Sequence, residues 1–280
     1  MTPGTELRPV GGRRPTRVAL VGLGAIGRSL LAALDGRTDV QAVATLQRQA
    51  SAYPYGLPGL DGVEAAATLD ELLAHRPDVV VECAGHDAVR QHGARILGHG
   101  ADLVVASVGA LADPDVLEAL RRASRSAGSR VLVPGGALGG IDALAAARLA
   151  GLDSVTLRSA KPPHAWRGSA AEAVLDLDAV TAETVFFRGS ARQAAHAYPR
   201  NANVAALVAL AGIGLDATAV ELAASPGLGA NRHEIHAAGA FGELRFAISA
   251  LASRDNPRTS AITAFSIAHA VLNRCSAIAI

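Results

Sequence analysis

The sequence predicts an α/β chain: a doubly wound parallel sheet first, then an α+β domain on a mixed or antiparallel sheet. Three observations carry that reading. Short, nearly continuous apolar runs alternate with helical stretches up to about residue 133. A glycine-spaced turn, GLGAIG, separates the first apolar run from the first helix. Beyond residue 133 the alternation gives way to polar, proline- and glycine-marked turns, and the last two strand candidates are close enough to pair antiparallel across Gly-Ala-Phe-Gly.

Residues 17–21 read as a buried strand, 22–27 as a turn and 26–34 as a helix with one apolar face. VQAVATL, residues 40–46, supplies a second strand. Residues 47–62 carry Pro54, Gly56, Pro58 and Gly59 and read as loop. A helix starts near Thr68, where Asp70 and Glu71 suit its first turn, and Pro77 stops it. DVVVECAG at 78–85 is a strand followed by a helix over about 87–97. Residues 103–107 form the next strand, DPDVLEALRRASRSAG a helix, and RVLVPGG one more strand.

In the second half a helix fits 141–150 and SVTLRSA a strand, which KPPHAWRG cannot continue because paired prolines remove hydrogen-bond donors. AEAVLDL and RQAAHAY are short helical candidates around a strand at 184–187, and NVAALVALAGIG is a helix ending in glycines. AVELAAS, HEIHAAG and GELRFAISA are late strands. A final helix begins at about Thr259; sequence leaves its docking open, and return to the first domain is the expectation. The domain reading is therefore 17–133 for dinucleotide binding, completed by the 254–280 helix, and 134–253 for substrate, catalysis and oligomerisation.

Composition narrows the partners. Of 280 residues, 26 are basic and 25 acidic, which by itself argues for a small neutral substrate and against nucleic acid. No run reaches the roughly 18–20 apolar residues of a membrane span, so no membrane partner is expected. Cys83 and Cys275 form no closely spaced thiol pair or metal-ligand pattern, which favours a reducing, cytoplasmic compartment and no metal. Residues 1–16 read as a flexible lead-in without a signal core.

Gly22, Gly24 and Gly27 form GxGxxG after a strand and at the opening of a helix, the arrangement of a Rossmann-type dinucleotide site. The first glycine makes the tight turn, the second leaves room for pyrophosphate and the third allows close helix packing, while Ala25 and Ile26 bring helix amides to the phosphates. The second strand continues Leu46, Gln47, Arg48 without the acid that would bind the ribose of NAD. Arg48 could instead meet the 2′-phosphate of NADP, so NAD or NADP is expected. The strand ends at Cys83, Ala84, Gly85 and His86, and at 107–110, approach the same ligand because open parallel sheets bind at their carboxyl edges.

The ordered segments VPGGALGGIDAL, AKPPHAWRG, YPRNANVAAL, GANRHEIHAAG and RDNPRTSA, together with the glycine motif, resemble the L-aspartate dehydrogenase family, related in build to homoserine dehydrogenases. The resemblance spans about 17–270. It implies reversible NAD(P)-dependent oxidation of L-aspartate, a small dicarboxylic amino acid, to iminoaspartate, which gives oxaloacetate and ammonia or feeds pyridine-nucleotide biosynthesis. By motif match it implies His233 as acid/base residue, Ala137 and Asn203 as cofactor contacts, Lys161 as a substrate-binding or structural candidate, and a homodimer. Where the family commonly reads GTPAE, Gly168 is followed here by Ser169, Ala170, Ala171 and Glu172, keeping a hydroxyl but losing a proline.

Residue chemistry supports part of this independently. Removing hydride from an amino-bearing carbon requires removing a proton from nitrogen, work a histidine performs near neutral pH. His164, Arg167, Arg200 and Arg232 join Lys161 as candidates for the substrate carboxylates, and Asn201, Asp255 and Asn256 as polar loop candidates. Asn201 and Asn203 could equally cap the helix they precede. A dehydrogenase for homoserine or another small amino acid is the neighbouring alternative, although no cysteine occupies the turns where an acylating thiol would sit. A non-catalytic NAD(P)-binding regulator is the alternative of another class. His233 and His236 are three apart, so as strand residues they point to opposite faces and do not form a metal pair.

Overall fold

The computed structural model describes residues 14–47, 58–199, 202–251, 253 and 260–280. Arg48, Arg200, Asn201, Asp255 and Asn256 lie outside the described residues, as does the predicted start of the last helix at Thr259. The chain divides into two compact units, one of Met1–Ala106, Glu118–Pro134 and Ala264–Ile280, the other of Ser107–Leu117 and Gly135–Thr263.

The first unit holds six strands, β1 (Thr16–Val21), β2 (Val40–Leu46), β3 (Glu64–Ala66), β4 (Val79–Glu82), β5 (Asp102–Val105) and β6 (Val131–Leu132). They pair in the order β3-β2-β1-β4-β5-β6, every pair parallel. That order reverses direction between β1 and β4, the switch point at which doubly wound sheets bind dinucleotides. Helices α1 (Ala25–Leu34), α2 (Leu69–Ala74), α3 (His86–Gly98) and α4 (Pro114–Ala127) connect the strands. Thr68 caps α2 by accepting from the Glu71 amide. Every residue of β4 and β5 is buried, which is why Val79–Val81 and Leu103–Val105 are apolar without alternation.

From Gly135 on, the second unit holds α5 (Ile141–Ala150), β7 (Leu152–Lys161), β8 (Thr184–Ser190), α6 (Ala191–Ala197), α7 (Ala202–Ala211), β9 (Ala219–Ala224), β10 (Asn231–Gly239) and β11 (Gly242–Ala250). The sheet runs β11-β10-β7-β9-β8. Only the β7–β9 pair is parallel, so the sheet is mixed. β7 ends at Lys161, where Pro162 and Pro163 take over and a 3₁₀ turn, Pro163–Trp166, begins. Ser190 and Gln193 cap α6 with a reciprocal side-chain pair.

The last helix, α8 (Ile262–Cys275), resolves the docking that sequence left open. Its Ile267, Ala268 and Val271 are buried in one apolar cluster with Val18, Leu20, Leu30, Val79 and Val104 of the first unit. Arg274 Nε also donates to the Asp102 carboxylate at 2.8 Å.

Three expectations change. The predicted strand over 78–85 stops at Glu82, because Ala84 and Gly85 direct their amides to the Glu82 carboxylate and Gly85 takes φ 122°. AEAVLDL forms only a 3₁₀ turn, Ala170–Ala173, before the backbone turns again. Asn203 is not a cap: it lies inside α7, and its Oδ1 accepts from the Gly109 amide at 2.9 Å.

Candidate functional site

The carboxyl edge of the parallel sheet in the first unit is built by two close approaches. Gly22 follows β1 with φ 96°, and a Cβ there would lie 2.8 Å from the Ala84 Cβ. A Cβ on Gly27 would lie 2.7 Å from the Gly22 carbonyl oxygen, so α1 can seat against the turn only with glycine at this position. Gly24 differs from both. Its missing Cβ would meet nothing within 4 Å, and it is the N-cap of α1 with no side chain bonded to the helix amides. An open approach to uncapped amides at a helix start fits a phosphate group, and Ala25 and Ile26 stand in that first turn.

The loop after β4 closes the other side of the same edge. Glu82 is 1% exposed, and its Oε1 accepts from the Ala84 and Gly85 amides at 2.8 and 2.7 Å. Cys83 donates its thiol to the Gly22 carbonyl at 3.1 Å. Burial, and then the Glu82 charge, push that thiol above its ordinary range, which suits a packing contact of the turn. Gly22 and Gly27 of the glycine motif and Cys83, Ala84 and Gly85 of the strand end are thus gathered on one edge. At the end of β2, Gln47 donates to the hydroxyl of the fully buried Thr45 at 3.3 Å, and no described residue there is acidic.

The second unit gathers a different set. On β10, Asn231, His233, Ile235 and Ala237 are buried, while Arg232, Glu234 and His236 are less so. The strand period places His233 and Ile235 on one face and His236 on the other, where His236 pairs with Glu243. Antiparallel register sets His233 directly opposite Ser159 of β7, and Ser159 Oγ lies 2.8 Å from His233 Nδ1. Both residues are 3% exposed. Lys161, two residues farther along β7, continues the Ser159 face.

Electrostatics distinguish this cluster. Burial lowers the Lys161 ammonium to about 8. Burial first, and the Lys161 charge second, lower His233 to about 3, so its imidazole is neutral at neutral pH. Lys161 Nζ stands 5.2 Å from the centre of the Trp166 ring. Trp166 is itself fully buried, donates Nε1 to the Ala223 carbonyl at 3.0 Å, and packs edge-on against Phe186 and Tyr198. The serine that follows Gly168 keeps the adjoining turn: Ser169 Oγ donates to the Trp166 carbonyl and accepts from the Ala171 amide.

Other predicted carboxylate-binding residues are engaged elsewhere. Arg232 reaches Glu183 at 3.2 Å and Glu234 at 3.6 Å, and Arg158 joins Glu183, Glu221 and Glu234. Arg232 therefore belongs to an ion-pair ladder on the sheet face opposite His233. Arg167 pairs with Asp178. His164 lies in the exposed 3₁₀ turn after β7. Ala137 sits, half-buried, in the turn after Gly136 and before α5. Sequence reasoning did not single out Ser159; a serine in an alternating strand has no signature until register sets it against a histidine.

Comparison with known proteins finds relatives over nearly the whole chain. The family described as aspartate dehydrogenase, C-terminal, matches residues 142–274, and that described as homoserine dehydrogenase, NAD binding domain, matches 22–134. The chain is 48% identical over 269 residues to the L-aspartate dehydrogenase of Ruegeria pomeroyi, covering 94% of each. It is 42% identical over 266 residues to that of Pseudomonas aeruginosa, covering 94% of this chain and 99% of the relative. The crystal structure of aspartate dehydrogenase from Thermotoga maritima superposes with a TM-score of 0.73 at 26% identity, covering 95% of this chain and 99% of that one.

Proposed function

We propose, since this chain belongs to the aspartate dehydrogenase family, that it oxidises L-aspartate to iminoaspartate with NAD or NADP and runs the reverse reductive amination. Iminoaspartate hydrolyses to oxaloacetate and ammonia. The observation that carries the reading is the buried His233, bonded to Ser159 and set beside the half-buried Lys161, on a unit separate in the fold from the glycine-turn edge. In this reading the first unit holds the cofactor and the second the substrate and the subunit contact of a cytoplasmic homodimer.

The residues of the glycine-turn edge fit a dinucleotide: the space at Gly24 and the first-turn amides of α1 receive pyrophosphate, and Cys83, Ala84 and Gly85 wall the turn. Ala137 and Asn203 are further cofactor contacts by motif, and Arg48, following the second strand, is the candidate for the 2′-phosphate of NADP. When bound, the nicotinamide exchanges hydride with the amino-bearing carbon of the substrate.

His233 supplies the proton traffic. Before hydride can leave, the substrate ammonium must give up a proton, and a neutral imidazole can take it. Lys161, in its charged form, offsets a substrate carboxylate. The two substrate carboxylates in turn cancel the Lys161 field, which strengthens His233 as a base when it is needed. Accordingly, the acid limb of kcat, which reports the substrate-bound enzyme, is expected at higher pH than that of kcat/KM, which reports the free enzyme.

The deciding experiment follows NADH or NADPH absorbance with oxaloacetate plus ammonium, and in reverse with L-aspartate. The expected outcome is turnover in both directions, a defined cofactor preference, and a fall in kcat on the order of 100-fold or more in His233→Asn. Cofactor binding without turnover in either direction would point to the regulatory reading. Sedimentation of the purified protein tests the dimer.

A further inference from the structure

We infer that Ser159 is a positioning residue for the proton-transfer step, holding the His233 imidazole by Nδ1 so that Nε2 is the atom that exchanges the proton. This rests on the acid/base reading of His233 and extends it to a residue outside the motifs. The bond joins two directly opposed residues of neighbouring antiparallel strands, each 3% exposed, at 2.8 Å. Its geometry is fixed by the sheet and not by a flexible loop.

A hydroxyl is the partner that this histidine needs. As a base, the neutral imidazole carries its hydrogen on Nδ1, donates it to Ser159 Oγ and leaves the Nε2 lone pair bare. Once Nε2 has taken a proton, Nδ1–H still donates to the same oxygen. Ser159 therefore accepts in both states and need not rearrange between them. A carboxylate at this point would hold the ring protonated, and an apolar side chain would leave a buried N–H without that partner.

The surroundings leave few other ways to tune the ring. Lys161 of β7 is the charged group that acts on it. Across β11 the residue opposite His233 is Ile248, and the buried residues of α5 are Leu144 and Ala147.

The test compares Ser159→Ala, Ser159→Thr and His233→Asn with the parent for kcat, KM for L-aspartate, the pH profile of kcat, and melting temperature. In S159A, kcat is expected to fall on the order of 10- to 100-fold while KM stays within about twofold. Its acid limb moves to lower pH, since the bond that favours the charged imidazole is gone. S159T, which restores an oxygen acceptor, recovers kcat to within about threefold and returns the limb. A folded S159A with parental kcat and an unmoved acid limb overturns the inference, as does an S159T that stays as impaired as S159A at unchanged melting temperature. If S159A does not fold, S159T alone decides: a parental pH profile supports the role and a shifted one removes it. A His233→Asn enzyme with parental kcat defeats the acid/base reading itself, whereas a silent S159A beside an inactive His233→Asn defeats only the role of Ser159.

Discussion

Two ionisable residues of the second sheet, the buried His233 and the half-buried Lys161, are held at a cost to stability. Lys161 sits at about 8 in the folded chain against its ordinary 10.5, because burial disfavours the ammonium. Between those values the unfolded chain binds more protons than the folded one, so stability rises with pH through that window and the penalty is fully present below it. His233, at about 3 against 6.5, behaves likewise, with stability falling as pH drops below 6.5. Lys161→Met is therefore expected to raise the melting temperature at pH 7, roughly 2–4 °C for each kcal/mol relieved. It should also flatten the rise between pH 8 and 10.5. The same variant is expected to raise KM for L-aspartate. A melting curve that is lower at pH 7 and keeps its alkaline rise would contradict this account.

At the scale of elements, the close approach of β1, its turn and the loop after β4 makes Gly22 a sensitive position of the first unit. An alanine there must adopt φ near 96° with its Cβ 2.8 Å from that of Ala84. The strain, about 1–3 kcal/mol, should push the turn outward and weaken NADH or NADPH binding about tenfold or more in a fluorescence titration. The alternation of strands and helices and the glycine turn were legible in the sequence because buried parallel strands are apolar throughout and a glycine turn has fixed spacing. The opposite faces of His233 and His236 were legible from period alone. Other features were not. The three residues of β3 are too few to show a pattern, and β4 ends early because a buried carboxylate three positions back captures two amides, which no periodicity reveals. Asn203 reads as a cap from composition, yet its partner is Gly109, 94 positions away. Ser159 gains meaning only from register, and register is a property of two strands at once.

At the scale of the whole molecule, the order of the units along the chain sets how each can be probed. The first unit takes its last buried side chains, Ile267, Ala268 and Val271, from α8, which follows the second unit in sequence. Trp166, the one tryptophan of the chain, is fully buried in the second unit. Its emission therefore reports that unit, while dinucleotide binding reports the first. Removing residues 262–280 is expected to abolish NADH or NADPH binding while leaving the Trp166 emission blue-shifted; a red-shifted spectrum would show that the second sheet depends on α8 as well. The same connectivity has a consequence for the chain as it is made. Domains complete themselves in the order in which their parts leave the ribosome, and here the parallel sheet emerges early but lacks one wall of its core until the final helix arrives. The later sheet has all its strands by Ala250. Synthesis thus reverses the written order: the part translated second is the first that can close, and the nascent nucleotide-binding sheet waits, partly uncovered, for the ribosome to reach the end of α8.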